Sequence, residues 1–209
     1  MKWPTRAVDF PGLVPMSEGY MTDPEVAAIA WACVCTRRAD VYGGVLEVGA
    51  YKGRTTSALM LACDTPGDVV VVDTFTGGKD LPDEDVFDAF RRNLVLAHSV
   101  AALDGVEVIR GDSRVVLPEL RSVGRRFRVE LIDGDHSEEG AFADLCNAWE
   151  MLSPGGFLFV DDANFTEVGH AIERWLKSDG SAVVRVDAWM GSVTSKLAYF
   201  RKVAPGGAT

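Results

Sequence analysis

Three carboxylates and one imidazole stand where this chain could do chemistry: Asp133 and His136 in Leu131-Ile132-Asp133-Gly134-Asp135-His136, and Asp161-Asp162 directly after Phe157-Leu158-Phe159-Val160. Each set follows a short apolar run that reads as a buried strand. If those strands are neighbours in one parallel sheet, the acids converge at its carboxyl edge, where open α/β sheets bind their ligands. Oxygen-only ligands suit a hard divalent cation such as Mg²⁺, which makes Asp133, Asp161 and Asp162 a candidate metal set. His136, three residues beyond Asp133, is placed to accept a proton beside the metal. The alternatives are that strand-end carboxylates only cap the next helix, and that His136 donates to backbone at a helix start.

A second constellation lies upstream. Leu46-Glu47-Val48-Gly49-Ala50-Tyr51-Lys52-Gly53-Arg54-Thr55-Thr56 puts Gly49 at a strand end, where backbone can approach a ligand closely, and Gly53 at a tight turn into a helix. The next strand, Val69-Val70-Val71-Val72, ends in Asp73-Thr74, with an acid where nucleotide-binding folds hold ribose hydroxyls. A third ends at Gly111-Asp112-Ser113, whose carboxylate can accept from an adenine amino group. Three strand ends in series, each with an acid or a glycine, describe an adenosine pocket rather than a phosphate cradle. Neither G-x-x-x-x-G-K-[ST] nor G-x-G-x-x-G is present, which removes the P-loop reading.

The elements that must position these groups follow from periodicity. Asp23-Pro24-Glu25 opens a helix, with Asp23 as N-cap and Pro24 at the first helical position, running to about Arg38. Strands over 45–48, 69–72, 106–109, 127–132 and 157–160 alternate with helices starting at Arg54, Asp85, Ser113, Ser137 and Glu167. Such alternation predicts a mostly parallel sheet with helices on both faces. Two more runs, 182–186 and 195–200, are separated by too little chain for a crossover, and so should pair antiparallel at one edge. The expected organisation is an N-terminal lid over 1–22, one domain over 23–203 and a frayed tail over 204–209. Phe75-Thr76-Gly77-Gly78-Lys79-Asp80 and Trp189-Met190-Gly191-Ser192 are candidate rims of the acceptor pocket.

Composition narrows the classes. A chain of 209 residues, 47% hydrophobic and 25% charged, can bury one substantial core. A formal net charge of -10 leaves no basic footprint for nucleic acid. The one basic cluster, Arg125-Arg126-Phe127-Arg128, reads as a solvated loop. No run is long enough to span a membrane and no signal peptide is evident, so a cytoplasmic protein is expected. Its four cysteines, lacking a zinc spacing, read as small apolar residues.

Glu47-x-Gly49, Asp73 and Gly111-Asp112-Ser113 resemble the sequential binding motifs of class I S-adenosylmethionine-dependent methyltransferases. Asp133-Gly134-Asp135-His136-Ser137-Glu138, Ala143-Asp144-Leu145, Leu152-Ser153-Pro154-Gly155-Gly156-Phe157 and Asp161-Asp162 are similar to the metal-dependent branch that includes macrocin O-methyltransferase-like enzymes. Catechol O-methyltransferase is a more distant relative. The resemblance covers roughly 17–162. It implies a Rossmann-like methyltransferase sandwich, with a mostly parallel seven-stranded sheet and an antiparallel last strand. It also implies S-adenosylmethionine as cofactor, lined by Ser17, Glu18, Glu47, Gly49, Ala50, Gly53, Thr55, Asp73, Thr74, Gly111, Asp112, Ser113 and Asp133. Mg²⁺ is expected on Asp133, Asp161 and Asp162. Tyr51 stands where the commoner G-x-G-x-G form has a glycine.

The implied reaction is O-methylation of a small-molecule hydroxyl, on a saccharide or glycosylated metabolite, or alternatively a catechol or phenol. A nicotinamide-dependent oxidoreductase and an inactive cofactor-binding module are the rival classes. An alkyl hydroxyl is a poor nucleophile, and a divalent cation lowers its pKa while fixing its position. An unperturbed imidazole, with pKa ~6.5, is largely neutral at cytoplasmic pH and so is the preferred base over Asp135. A homo-oligomer is compatible with all of these.

Overall fold

Runs rich in valine, leucine and phenylalanine, bounded by polar or glycine turns, form strands β1 (Gly44–Val48), β2 (Val69–Asp73), β3 (Val106–Arg110), β4 (Phe127–Ile132), β5 (Leu152–Val160), β6 (Val183–Arg185) and β7 (Ala198–Lys202). The computed structural model describes residues 18–63, 67–77, 85–179, 183–185 and 196–203. Helices α1 (Asp23–Arg38), α2 (Arg54–Ala62), α3 (Phe87–Ala97), α4 (Ser113–Ser122), α5 (Glu138–Met151) and α6 (Thr166–Asp179) alternate with the strands. A short 3-10 stretch, Val100–Gly105, which the sequence pattern did not reveal, joins α3 to β3.

The strands make one sheet in the order β3-β2-β1-β4-β5-β7-β6. The first five are parallel, and β7 runs antiparallel to both β5 and β6. The mixed edge is as expected, with β7 inserted between β5 and β6 rather than outermost. Ala198, Tyr199 and Phe200 of β7 are buried, and a central place in the sheet gives them cover that an edge would not. The three-residue β6 leaves a short outer edge, which limits unwanted pairing.

Strand side chains alternate between two cores. Val45, Val69, Val71, Val129, Leu131, Phe157 and Phe159 face the layer of α1, α2 and α3, while Leu46, Val48, Val70, Val72, Ile132, Leu158 and Val160 face α4, α5 and α6. Trp175 of α6 is fully buried and meets Trp149 and Phe200 edge-on, at centroid separations of 5.2 and 5.0 Å. That contact fastens α6 across α5 and β7.

Two expectations are corrected here. The N-cap of α1 is Thr22, not Asp23: the Thr22 amide and hydroxyl both donate to Glu25, at 2.7 and 2.8 Å, which moves the helix start back by one residue. Nor is Arg128 solvated. It lies within β4, buried, where it donates to the Gly43 carbonyl and pairs with Asp68, closing the sheet edge opposite the site. Arg125, at the same turn, pairs with Glu107 of β3 at 2.8 Å. The four cysteines are thiols, not disulfides, and burial pushes Cys35 up to about 11. No helix among the described residues is long and apolar enough to cross a membrane.

Candidate active site

Chain order runs outward through β1, β2 and β3 and then returns to β4 on the other side of β1, so the strand order reverses between β1 and β4. The crevice at such a reversal is where open α/β sheets take ligands. Gly49 ends β1 there with φ of 85°, and a Cβ at this position would lie 1.9 Å from the Asp133 carbonyl oxygen at the end of β4. Only glycine allows the two strand ends to come this close. Gly53 takes the same φ at the start of α2. Between them the Ala50 and Tyr51 amides donate to Asp73 Oδ2 at 2.7 and 2.8 Å, while the Phe75 amide donates to Oδ1 at 2.7 Å. Asp73 thus shapes the glycine loop and still has lone pairs for a further donor, because each carboxylate oxygen accepts more than one.

Glu47 lies beneath this loop, 1% exposed, accepting from the Thr56 hydroxyl at 2.5 Å. Burial pushes its carboxyl up to about 8, against the Thr56 hydrogen bond, with Asp133 and Asp73 adding to the rise. Unfolded, the same group ionises near 4.5. Between those values the folded chain holds a proton that the unfolded chain has released, so stability falls as pH rises through the window and the loss is complete above about 8. Glu47→Gln does not titrate, and from pH 5 to pH 7 it is expected to gain roughly 2 to 3 kcal/mol relative to wild type. Denaturant unfolding of both proteins at each pH checks this. Asp144 and Glu130 also carry raised values, and the difference from wild type isolates Glu47. A pH-independent difference would refute the prediction.

The acids after β4 and β5 do converge. Asp133, His136 and Asp162 offer ligand atoms that all lie within 4.8 Å of one another. His136 Nε2 stands 3.4 Å from Asp162 Oδ2 and 3.8 Å from Asp133 Oδ1. Burial raises the Asp133 carboxyl above its usual range, and His136 opposes that rise. Asp162 occupies a left-handed turn, φ 50°, which swings its carboxylate toward this group. Asp161 is engaged differently: its Oδ2 accepts from Lys196 at 2.7 Å, and its Oδ1 is buried without a hydrogen-bond partner. Phe165, two-fifths exposed, meets the His136 ring edge-on at 5.5 Å.

Other expected site residues have structural partners. Asp135 Oδ1 accepts from the Ser137 amide at 2.8 Å, and Ser137 caps α5, so Asp135 is engaged at the helix start. Asp112 caps α4 and is paired with Arg114, which holds its carboxyl below the usual range. Ser113, beside Gly111, donates to Asp144 of α5 at 3.0 Å. Asp144 is fully buried, with a carboxyl raised to about 7 by that burial. Thr55 donates to the Met21 sulfur at 3.2 Å, and Thr74 is exposed. Glu18 pairs with Lys52 at 3.2 Å, and Tyr20 meets the Tyr51 ring at 5.3 Å, so residues 18–22 lie along the glycine loop. Ser17, most of the expected lid, 78–80 of the first rim, all of the second rim and the tail lie outside the described residues.

The donor set fits both expected groups. Asp133, Asp162 and His136, with the orphaned buried oxygen of Asp161 on the adjoining residue, suit a divalent cation. A glycine cradle at Gly49 with an acid at Asp73 suits an adenosine. The family model described as a methyltransferase domain matches residues 46–163, more than half of the chain. The chain belongs to the methyltransferase family.

The methyltransferase shares its fold with several solved O-methyltransferases. It resembles the O-methyltransferase NovP at 20% identity and TM-score 0.63, over 87% of this chain and 81% of that one. The calicheamicin methyltransferase CalS11 gives 17% identity and TM-score 0.63, over 85% and 77%. TomG of Streptomyces achromogenes, solved with S-adenosylmethionine, gives 16% and 0.63, over 94% and 85%. No curated protein is similar enough in sequence to count as a match. Sequence reasoning missed Lys196, Glu25 and Phe165, three neighbours of the acid group in this methyltransferase. Phe165 was within reach, three residues past Asp162 in the same loop.

Proposed function

We propose that the methyltransferase transfers the sulfonium methyl of S-adenosylmethionine to a hydroxyl of a saccharide or glycosylated metabolite, at a site where Asp133, Asp161 and Asp162 hold Mg²⁺. The observation that carries this reading is the meeting of Asp133, Asp162 and His136 beside the strand end where Gly49 packs on the Asp133 carbonyl. The saccharide acceptor is supported by CalS11, described as a TDP-rhamnose 3'-O-methyltransferase.

When bound, the cofactor supplies an electrophilic methyl group, and the cation supplies a Lewis acid that acidifies the hydroxyl. The chain's own residues do the rest. Asp73 accepts from the ribose hydroxyls while keeping the Ala50 and Tyr51 amides in place. Gly49 lets the end of β1 lie against the Asp133 carbonyl, which sets the glycine loop beside the acid cluster. His136 accepts the hydroxyl proton as the acceptor oxygen bonds to the methyl carbon and the carbon–sulfur bond breaks. Asp135 is less suited to this, since its carboxylate is engaged by the Ser137 amide.

The test is methyl transfer from labelled S-adenosylmethionine to a panel of saccharides and catechols, with and without chelator. Transfer to saccharides that stops on metal removal supports the reading. Transfer to catechols alone overturns the acceptor class. Asp73→Ala is expected to weaken cofactor binding roughly tenfold to a hundredfold, or about 1.5 to 3 kcal/mol for a lost charged hydrogen-bond partner. An unchanged dissociation constant by calorimetry would move the adenosine site elsewhere.

A further inference from the structure

Lys196 lies just ahead of β7, and because β7 runs against β5, the start of one strand meets the end of the other. Val160 pairs with Ala198, so Asp161 and Asp162 leave the sheet beside Leu197 and Lys196. The Lys196 carbonyl accepts from the Ala163 amide at 2.7 Å, closing the turn that holds Asp162 in its left-handed conformation. The Lys196 ammonium donates to Asp161 Oδ2 at 2.7 Å, and stands 3.6 Å from Asp162 Oδ1 and 3.9 Å from Glu25 Oε2. Its side chain is 21% exposed, and that of Glu25 is completely buried. One residue therefore grips the acid turn through both main chain and side chain, and ties it to the first turn of α1.

The two Asp161 oxygens are unequal. Oδ2 has the ammonium, while Oδ1 is buried with no hydrogen-bond partner. Leaving such an acceptor unsatisfied is unfavourable unless something completes it. We infer that Lys196 is a positioning residue of the cation site. It is a resident counter-charge that holds Asp161 and Asp162 in the metal-free protein, leaves Asp161 Oδ1 for a divalent ion, and keeps affinity for that ion below what the acids alone would give.

The inference rests on the metal reading above. Removing Lys196 has two opposed effects on the ion. The Asp161 carboxylate loses its anchor, which weakens binding by the ordering of one short side chain. The acids also lose a full positive charge that faces the incoming dication across a few ångströms of partly buried space. The second effect is the larger. In the metal-free protein only destabilisation remains, because a buried carboxylate has lost its partner.

The experiment measures Mn²⁺ binding by electron paramagnetic resonance at pH 8, together with thermal unfolding of the metal-free proteins, for wild type, Lys196→Met and Lys196→Arg. Lys196→Met is expected to bind Mn²⁺ about tenfold tighter or more, to unfold at lower temperature without metal, and to bind S-adenosylmethionine within about twofold of wild type. Lys196→Arg keeps the charge and should stay near wild type in Mn²⁺ affinity. A merely structural lysine would make Mn²⁺ binding weaker, so equal or weaker binding by folded Lys196→Met overturns the inference. If that variant does not fold without metal, Lys196→Gln gives the same comparison with the same two outcomes. Failure of wild type to bind Mn²⁺ brings down the metal reading itself, and this inference with it.

Discussion

Asp133→Ala is expected to lower the single-turnover rate of methyl transfer by about a thousandfold, the several kcal/mol that a Lewis-acid metal contributes, while the dissociation constant for S-adenosylmethionine moves only a few-fold. The separation follows from where Asp133 stands. Its backbone carbonyl is the atom that Gly49 must avoid, and that contact with the cofactor loop survives loss of the side chain. Its carboxylate instead belongs to the group with His136 and Asp162. Asp162→Ala should behave alike, since its Oδ2 faces His136 from the other side at 3.4 Å. Excess chelator should reproduce both defects in wild type, and Mn²⁺ or Mg²⁺ should reverse them there but not in the variants. Full activity of wild type in chelator would remove the metal from the mechanism.

How far this site could be read beforehand depended on where each residue's position is decided. Asp133, Asp161 and Asp162 follow apolar runs directly, so the period of the sequence places them at strand ends. The adjacency of β4 and β5 is the common outcome for consecutive strands, although β3 and β4, joined in the same way through α4, lie apart. Gly49 and Asp73 were legible for the same reason. Side-chain direction was not. Nothing local distinguishes Asp161, which turns to Lys196, from Asp162, whose left-handed backbone turns it to His136. Lys196 is 35 residues away from its partner, and its place depends on β7 inserting beside β5. The pairing of β6 with β7 could be inferred from their short separation, but the identity of the other neighbour of β7 could not. Arg128 shows the same limit. Beside two other arginines it looked like part of a solvated loop, yet its partner Asp68 lies at the start of another strand. In each case the missing information was a tertiary register rather than a propensity.

His136→Ala is expected to slow the methyl-transfer step by roughly a hundredfold or more, the range for loss of a positioned general base. Three observations favour this residue as the base. Its Nε2 lies among the carboxylates at 3.4 and 3.8 Å, where an acidified hydroxyl would be presented. Phe165 holds the ring edge-on at 5.5 Å, which limits its rotation. The rival base, Asp135, gives an oxygen to the Ser137 amide at the start of α5, and moving it would disturb the helix cap. A Cβ on Gly140 would meet Asp135 Oδ2 at 2.2 Å, so the carboxylate is packed against the first turn of the helix rather than presented to an acceptor. Asp135→Asn should therefore keep most of the chemical rate and show its effect in thermal stability, whereas His136→Ala should lose rate with cofactor affinity intact. His136→Gln should resemble alanine in rate, because an amide can hold the same space but cannot take the proton. Single-turnover rates at saturating Mg²⁺ separate the two assignments: a His136→Ala enzyme within threefold of wild type, beside a slow Asp135→Asn, would give the base to Asp135.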